Sequence, residues 1–298
     1  MIPASRSPFS RLDALLSRRF GFSFPQILRI ACHSIYRIPA PFFGTNALDI
    51  GQDGVSGSLG YPSTCYKVVD RRDGFTYCLR RVDNVRGAAA VLDDRAHRAL
   101  QSWRRVQHPN VVPLHDAFAH HRALFFKHEF CPGAQSLQEQ LLSGHGPMLP
   151  ERAIWSFLTQ VATALRAIHT AGLACHAVNP LRILVVGNNR YRIAGCGIFD
   201  VLEGDEVAKQ RSLAERQHDD LANLGKLTLL LGCRGSANDF YNFNLQAAAE
   251  NFSRNSYSTD LQNAAMAPFV AASKQQLCSV YDVLSTMTRG LVTELDER

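Results

Sequence analysis

The stretch Leu173-Ala-Cys-His-Ala-Val-Asn-Pro-Leu-Arg-Ile-Leu-Val185, with Tyr191-Arg-Ile-Ala-Gly-Cys-Gly197 after it, decides the fold. Upstream, Ile154, Leu158, Val161, Leu165 and Ile168 recur at steps of four and three, which places apolar side chains on one face of a helix. Pro150-Glu151 suits the first turn of that helix and Gly172 its stop. Downstream, Ile183 to Val185 and Tyr191 to Ile193 read as two short strands. A buried helix therefore feeds a loop turning at Pro180, and the loop feeds a hairpin.

With Pro180 and Ile183-Leu184 as fixed points, this order resembles the protein-kinase catalytic-loop pattern H-R-D-L-x-x-x-N. Ala177 then stands at the catalytic Asp position, Arg182 at the metal-binding Asn, and Gly195-Cys-Gly197 at D-F-G. A methyl group accepts no proton from a substrate hydroxyl, and a guanidinium repels Mg²⁺. Phosphoryl transfer depends on positioning and on metal-borne charge neutralisation, so the loop keeps the spacing and has lost the chemistry.

The same alignment extends in both directions. Tyr66 to Val69, the Asp73-Gly74 turn and Phe75 to Val82 read as a hairpin. Its leading segment, Gly60-Tyr-Pro-Ser-Thr-Cys-Tyr66, keeps one Gly of the phosphate-covering loop and adds a Pro with no N–H to give. Arg80 takes the place of the third-strand Lys and can pair with phosphate as a fork, or sit on a solvated face. Leu92, Ala96, Ala99, Trp103 and Val106 mark a helix face, on which Leu100 replaces the ion-pairing Glu. Val111-Val112 and Leu124 to Phe130 read as the next strands, leading into a hinge at Glu129-Phe-Cys-Pro-Gly-Ala-Gln-Ser136. Only 22 residues separate Gly197 from Asp220, too few for a full activation segment, yet Asp220-Leu-Ala-Asn-Leu-Gly225 matches the D-x-W-S-x-G opening of the central large-lobe helix. Ser258-Thr-Asp-Leu261 and Ser279-Val-Tyr-Asp282 supply two capped helix starts.

The expected architecture is α+β and bilobal: a basic, poorly ordered leader over 1–57, a small β-rich N-lobe over 58–130 and a helical C-lobe over 131–298. Composition agrees, since 298 residues at 46% hydrophobic suffice for such a core and no run reaches membrane-span length. Of the net charge of +6, residues 1–47 carry +5 through six Arg and one Asp. The remaining chain is close to neutral, so charge gives no sign of nucleic-acid binding. An Arg-rich, acid-poor leader has the composition of a transit peptide or of a flexible arm. The eight Cys are scattered without C-x-x-C spacing, as in a reducing compartment without disulfides or zinc.

Gly60-Tyr-Pro-Ser63, Tyr77-Cys-Leu-Arg-Arg81, Ile168-His-Thr-Ala-Gly-Leu-Ala-Cys175, Gly197-Ile-Phe-Asp-Val201 and Asp220-Leu-Ala-Asn-Leu-Gly-Lys226 together resemble the regulatory pseudokinase subunit of the poly(A)-nuclease deadenylation complex. The resemblance spans about residues 58–298. It implies a cytoplasmic, non-catalytic scaffold that recruits a catalytic nuclease to poly(A) tails and promotes mRNA decay, with no membrane association. It further implies an ATP-binding pocket, which carries over to Arg80, to the hinge residues Glu129, Phe130, Cys131, Pro132, Gly133, Ala134, Gln135 and Ser136, and to Leu181 and Arg182. Arg182 departs from the family's usual Lys but keeps the charge. Partners implied by the family are the catalytic nuclease subunit, poly(A)-binding protein and glycine–tryptophan-repeat silencing proteins, with homodimerisation through a coiled coil. That coiled coil and the C-terminal knob are expected to be absent from this sequence, and the family's zinc finger and poly(A)-binding-protein motif are not recognisable in residues 1–57.

Two alternatives stand beside this scaffold. One is a kinase-fold interaction module without a ligand. The other is an atypical active kinase with a relocated carboxylate, for which Asp200 is the nearby candidate.

Overall fold

In the computed structural model, which describes residues 38–48, 59, 61–121, 123–142, 148–203 and 210–296, the N-lobe is a five-stranded antiparallel sheet. Its strands are β1 (Phe42–Ala47), β2 (Ser63–Asp70), β3 (Thr76–Asp83), β4 (Leu114–His120) and β5 (Ala123–Glu129), in the spatial order β1-β2-β3-β5-β4. Helix α1 (Ala89–Trp103) packs on β4, presenting Leu92, Ala96, Ala99 and Trp103 as expected, with Leu100 buried among them. The sheet buries its other face in a small cluster of Phe42, Tyr66, Val68, Leu79, Ala123 and Phe125.

Two expectations are corrected here. Residues 42–47 do not belong to the leader: Phe42 and Phe43 pair with Asp70 and Val69 of β2, and Phe42 closes the small cluster. The N-lobe sheet therefore begins before residue 58. The strand after α1 is Leu114–His120 rather than Val111-Val112, and Val111 instead makes an isolated parallel bridge to Ile193. Residues 1–37 lie outside the described residues.

The C-lobe is built on α3 (Glu151–Thr170), reached through the two-residue strand β6 (Gln135–Ser136) and the short helix α2 (Leu137–Gln140). All five periodic residues of α3 are buried, from Ile154 to Ile168. Strands β7 (Ile183–Val186) and β8 (Arg190–Ile193) then form a three-stranded sheet with β6. Helix α4 (Ile198–Leu202) follows directly, and α5 (Leu213–Cys233) runs through the middle of the lobe. It starts seven residues before Asp220, because Ser212 and Glu215 close a reciprocal capping box. Helices α6 (Ala237–Tyr241), α7 (Leu245–Arg254), α8 (Thr259–Ser273) and α9 (Val280–Asp296) complete it, with Ser258 and Ser279 capping the last two as expected. Among the described residues no helix is long and apolar enough to cross a membrane.

Candidate functional site

The loop between α3 and β7 is held from beneath by one buried carboxylate. Asp220 accepts from the backbone N–H of Cys175 (2.6 Å) and of His176 (2.8 Å), and from His169 Nε2 (3.0 Å). Asn179 turns the next residues, its Oδ1 accepting from the N–H groups of Leu181 and Arg182. The catalytic loop is therefore in place as a backbone shape, and at its centre Ala177 is fully buried.

Above the loop, between the lobes, lies a cleft of ≈ 470 Å³. The structure gathers Arg80, Glu129, Phe130, Cys131, Gly133, Ala134, Ser136, Leu181 and Arg182 around it, from elements up to a hundred residues apart in sequence. Pro132 and Gln135 belong to the same hinge but are not among its lining residues. Cys65 and Cys78 line it from the sheet side and Leu184 from β7, giving it apolar walls.

Two cations define one end. Arg80 projects from β3 and donates from Nη1 to Ser63 Oγ at 3.1 Å. Arg182 is buried, its guanidinium 4.9 Å from the centre of the Phe199 ring. Burial, and secondarily the charge of Arg80, pull the Arg182 pKa down to about 10. A Cβ at Gly195 would lie 3.1 Å from Arg182 Nη1, so a guanidinium fills the space next to the position of the first D-F-G residue. Gly195 has φ of +75°, a left-handed conformation that also favours glycine.

The other end is acidic but already engaged. Arg192 of β8 holds Glu129 through two parallel contacts of 2.7 and 2.8 Å, and reaches Cys131 Sγ at 3.1 Å. This ion pair keeps the Glu129 carboxyl below its ordinary range. Glu139 accepts from the Ser136 N–H at 2.9 Å in a capping box. Neither cleft carboxylate faces the Arg pair alone. Asp200, the relocated-carboxylate candidate, accepts from Trp103 Nε1 at 2.8 Å and is not among the cleft-lining residues. Burial raises its pKa.

Arg192 and His128 were not singled out in the sequence. The His128 ring is enclosed beneath the cleft, with Nε2 donating to the Cys196 carbonyl at 3.2 Å, and burial lowers its pKa to about 4. Both depend on pairings between β5 and the β8 region that no local pattern announces. No group of three or more His, Cys, Asp or Glu able to hold a metal occurs among the described residues.

A kinase scaffold whose metal and proton-accepting positions carry Ala177, Arg182 and Gly195 is that of a pseudokinase. The protein kinase domain family matches residues 56–215, more than half of the chain, and the chain belongs to that family. It is 39% identical over 220 residues to the PAN2-PAN3 deadenylation complex subunit pan3 of Dictyostelium discoideum, covering 72% of this chain and 28% of that one. The solved Drosophila melanogaster PAN3 pseudokinase superposes with a TM-score of 0.73 at 30% identity, over 87% of this chain and 69% of that one. The PAN3 chain in a Neurospora crassa complex of PAN2 (WD40-CS1) with PAN3 (pseudokinase and C-term) superposes equally well, at a TM-score of 0.73 and 26% identity over 86% of this chain and 65% of that one. The chain spans 28–40% of the length of the curated relatives it matches.

Proposed function

We propose that this chain is the non-catalytic, regulatory pseudokinase part of a PAN2-PAN3-type deadenylation complex, acting in the cytoplasm as a scaffold that brings the catalytic nuclease to mRNA poly(A) tails. The observation that carries this is the match, along the kinase scaffold, to relatives named as PAN3 subunits of that complex. A solved PAN3 pseudokinase in complex with PAN2 supports the catalytic nuclease as partner. Depleting the protein from its own cells is expected to lengthen poly(A) tails, and re-expression to restore them. Unchanged tail lengths on sequencing would overturn the role.

The cleft fits ATP held by cations instead of metal-binding side chains. The charge of Arg80 disfavours that of Arg182, and an anionic phosphate between them would relieve this. The apolar walls from Cys65, Cys78 and Leu184 suit a base. Bound nucleotide would stabilise the folded lobes by mass action, and Ala177, at the catalytic Asp position, cannot take a proton from an acceptor hydroxyl. ATP is expected to raise the melting temperature of the full chain to a similar extent in Mg²⁺ and in chelator, without phosphate release. If the Arg80→Ala/Arg182→Ala double variant binds ATP as tightly as the parent, the two arginines are not what holds it.

A further inference from the structure

We propose that Cys65 and Cys78 form a reversible intramolecular disulfide under hydroperoxide stress, a covalent modification site in the roof of the cleft. The two residues lie on the adjacent strands β2 and β3, diagonal across the register in which Cys65 faces Arg80 and Lys67 faces Cys78. Their side chains share the cleft-facing side of the hairpin, and the sulfurs are 3.9 Å apart. Rotation of the two side chains, with a local adjustment of the hairpin, brings the sulfurs from this separation to bonding distance. Arg80 lies directly across from Cys65 in the register, and the nucleophilic form of a cysteine is the thiolate.

The chemistry balances with hydrogen peroxide, the simplest hydroperoxide, as oxidant. The Cys65 thiolate attacks one peroxide oxygen, the O–O bond breaks, and Cys65 becomes a sulfenic acid as the first water leaves. The Cys78 sulfur then attacks the sulfenic sulfur, forms the S–S bond and expels the oxygen as a second water. Each sulfur loses one electron, the peroxide gains two, and the two thiol protons end in the two waters. A dithiol reverses the reaction. None of this depends on nucleotide binding.

The sequence provides a clean readout. Trypsin places Cys65 on the peptide Ile38–Lys67 and Cys78 on Asp73–Arg80, each with no other Cys. Full-length protein treated with hydrogen peroxide, alkylated and digested is expected to yield these two peptides linked, and dithiothreitol to release them. In Cys78→Ser, Cys65 is expected to accumulate as sulfenic and sulfinic acid with no linked peptide. Peroxide-treated parent that gives only singly oxidised peptides, or a linkage between other cysteines in place of this one, overturns the proposal.

Discussion

Two buried ionisable groups make the stability of this protein depend on acid in separate pH windows. His128 is neutral in the folded chain with its pKa held at about 4, whereas an unfolded His protonates near 6.5. The unfolded state therefore takes up the proton first, and stability falls as pH drops from about 6.5 to about 4, by about 3 kcal/mol in all. Urea denaturation across that range should show the loss in the parent. It should be largely absent in His128→Gln, whose amide still donates towards Cys196. Asp70 works lower. Arg72, and also Lys127 with its Nζ at 3.0 Å, hold this fully buried carboxyl well below the usual range. Its contribution is complete above the unfolded value of about 3.9 and is lost as pH falls below it. Asp70→Asn leaves the Lys127 ammonium buried without its counter-charge, so it is expected to cost about 3–5 kcal/mol at pH 7 in the same urea assay.

Elements read well from the sequence where one face alone carries the signal. Helices α1 and α3 announced themselves by period, and α8 and α9 by their Ser caps, because both signals are local. Strand β4 did not, since Leu114-His-Asp-Ala-Phe-Ala-His120 sets polar residues among the apolar ones and owes its conformation to pairing with β5. Strand β1 was hidden for a related reason: Phe42-Phe-Gly-Thr-Asn-Ala47 sits behind an Arg-rich stretch and is a strand only because β2 offers an edge. In the site, Arg80 and Arg182 were legible through fixed spacing from Pro180 and the hairpin, whereas Arg192 and His128 act across the lobes and left no local mark. Gly225 is a case where pattern and packing coincide. A Cβ there would meet the Ala265 carbonyl oxygen at 2.5 Å and Phe269 at 2.9 Å, so glycine is what lets α5 and α8 cross closely. Gly225→Ala is expected to force the two helices apart and cost about 1–3 kcal/mol, read as a lowered denaturation midpoint with little change in slope.

At the scale of the whole molecule, the two lobes are stitched together by the chain itself. Val112 N–H donates to the Ile193 carbonyl and Ile193 N–H to the Asn110 carbonyl, while Asn110 Nδ2 donates to the Tyr191 carbonyl at 2.7 Å. The Glu129–Arg192 pair fastens the hinge to β8, and Trp103–Asp200 fastens α1 to α4. One apolar core runs from Val82 and Leu92 through Trp103 to Ile183 and Leu224, so neither lobe closes a separate large core. Separating the lobes would expose this surface together with buried backbone polar groups, so the lobes are expected to unfold in one cooperative transition even without nucleotide. Near-ultraviolet and far-ultraviolet circular dichroism should then give coincident melting curves. A ligand that binds only the folded chain displaces that single transition as a unit, by about 2.7 kcal/mol at a hundredfold excess over its Kd. Asn110→Ala removes the side-chain stitch to Tyr191 and should lower the midpoint while the two curves still coincide. Curves that separate in the parent and merge when ATP is added would mean that the lobes are coupled through the nucleotide and not through these contacts.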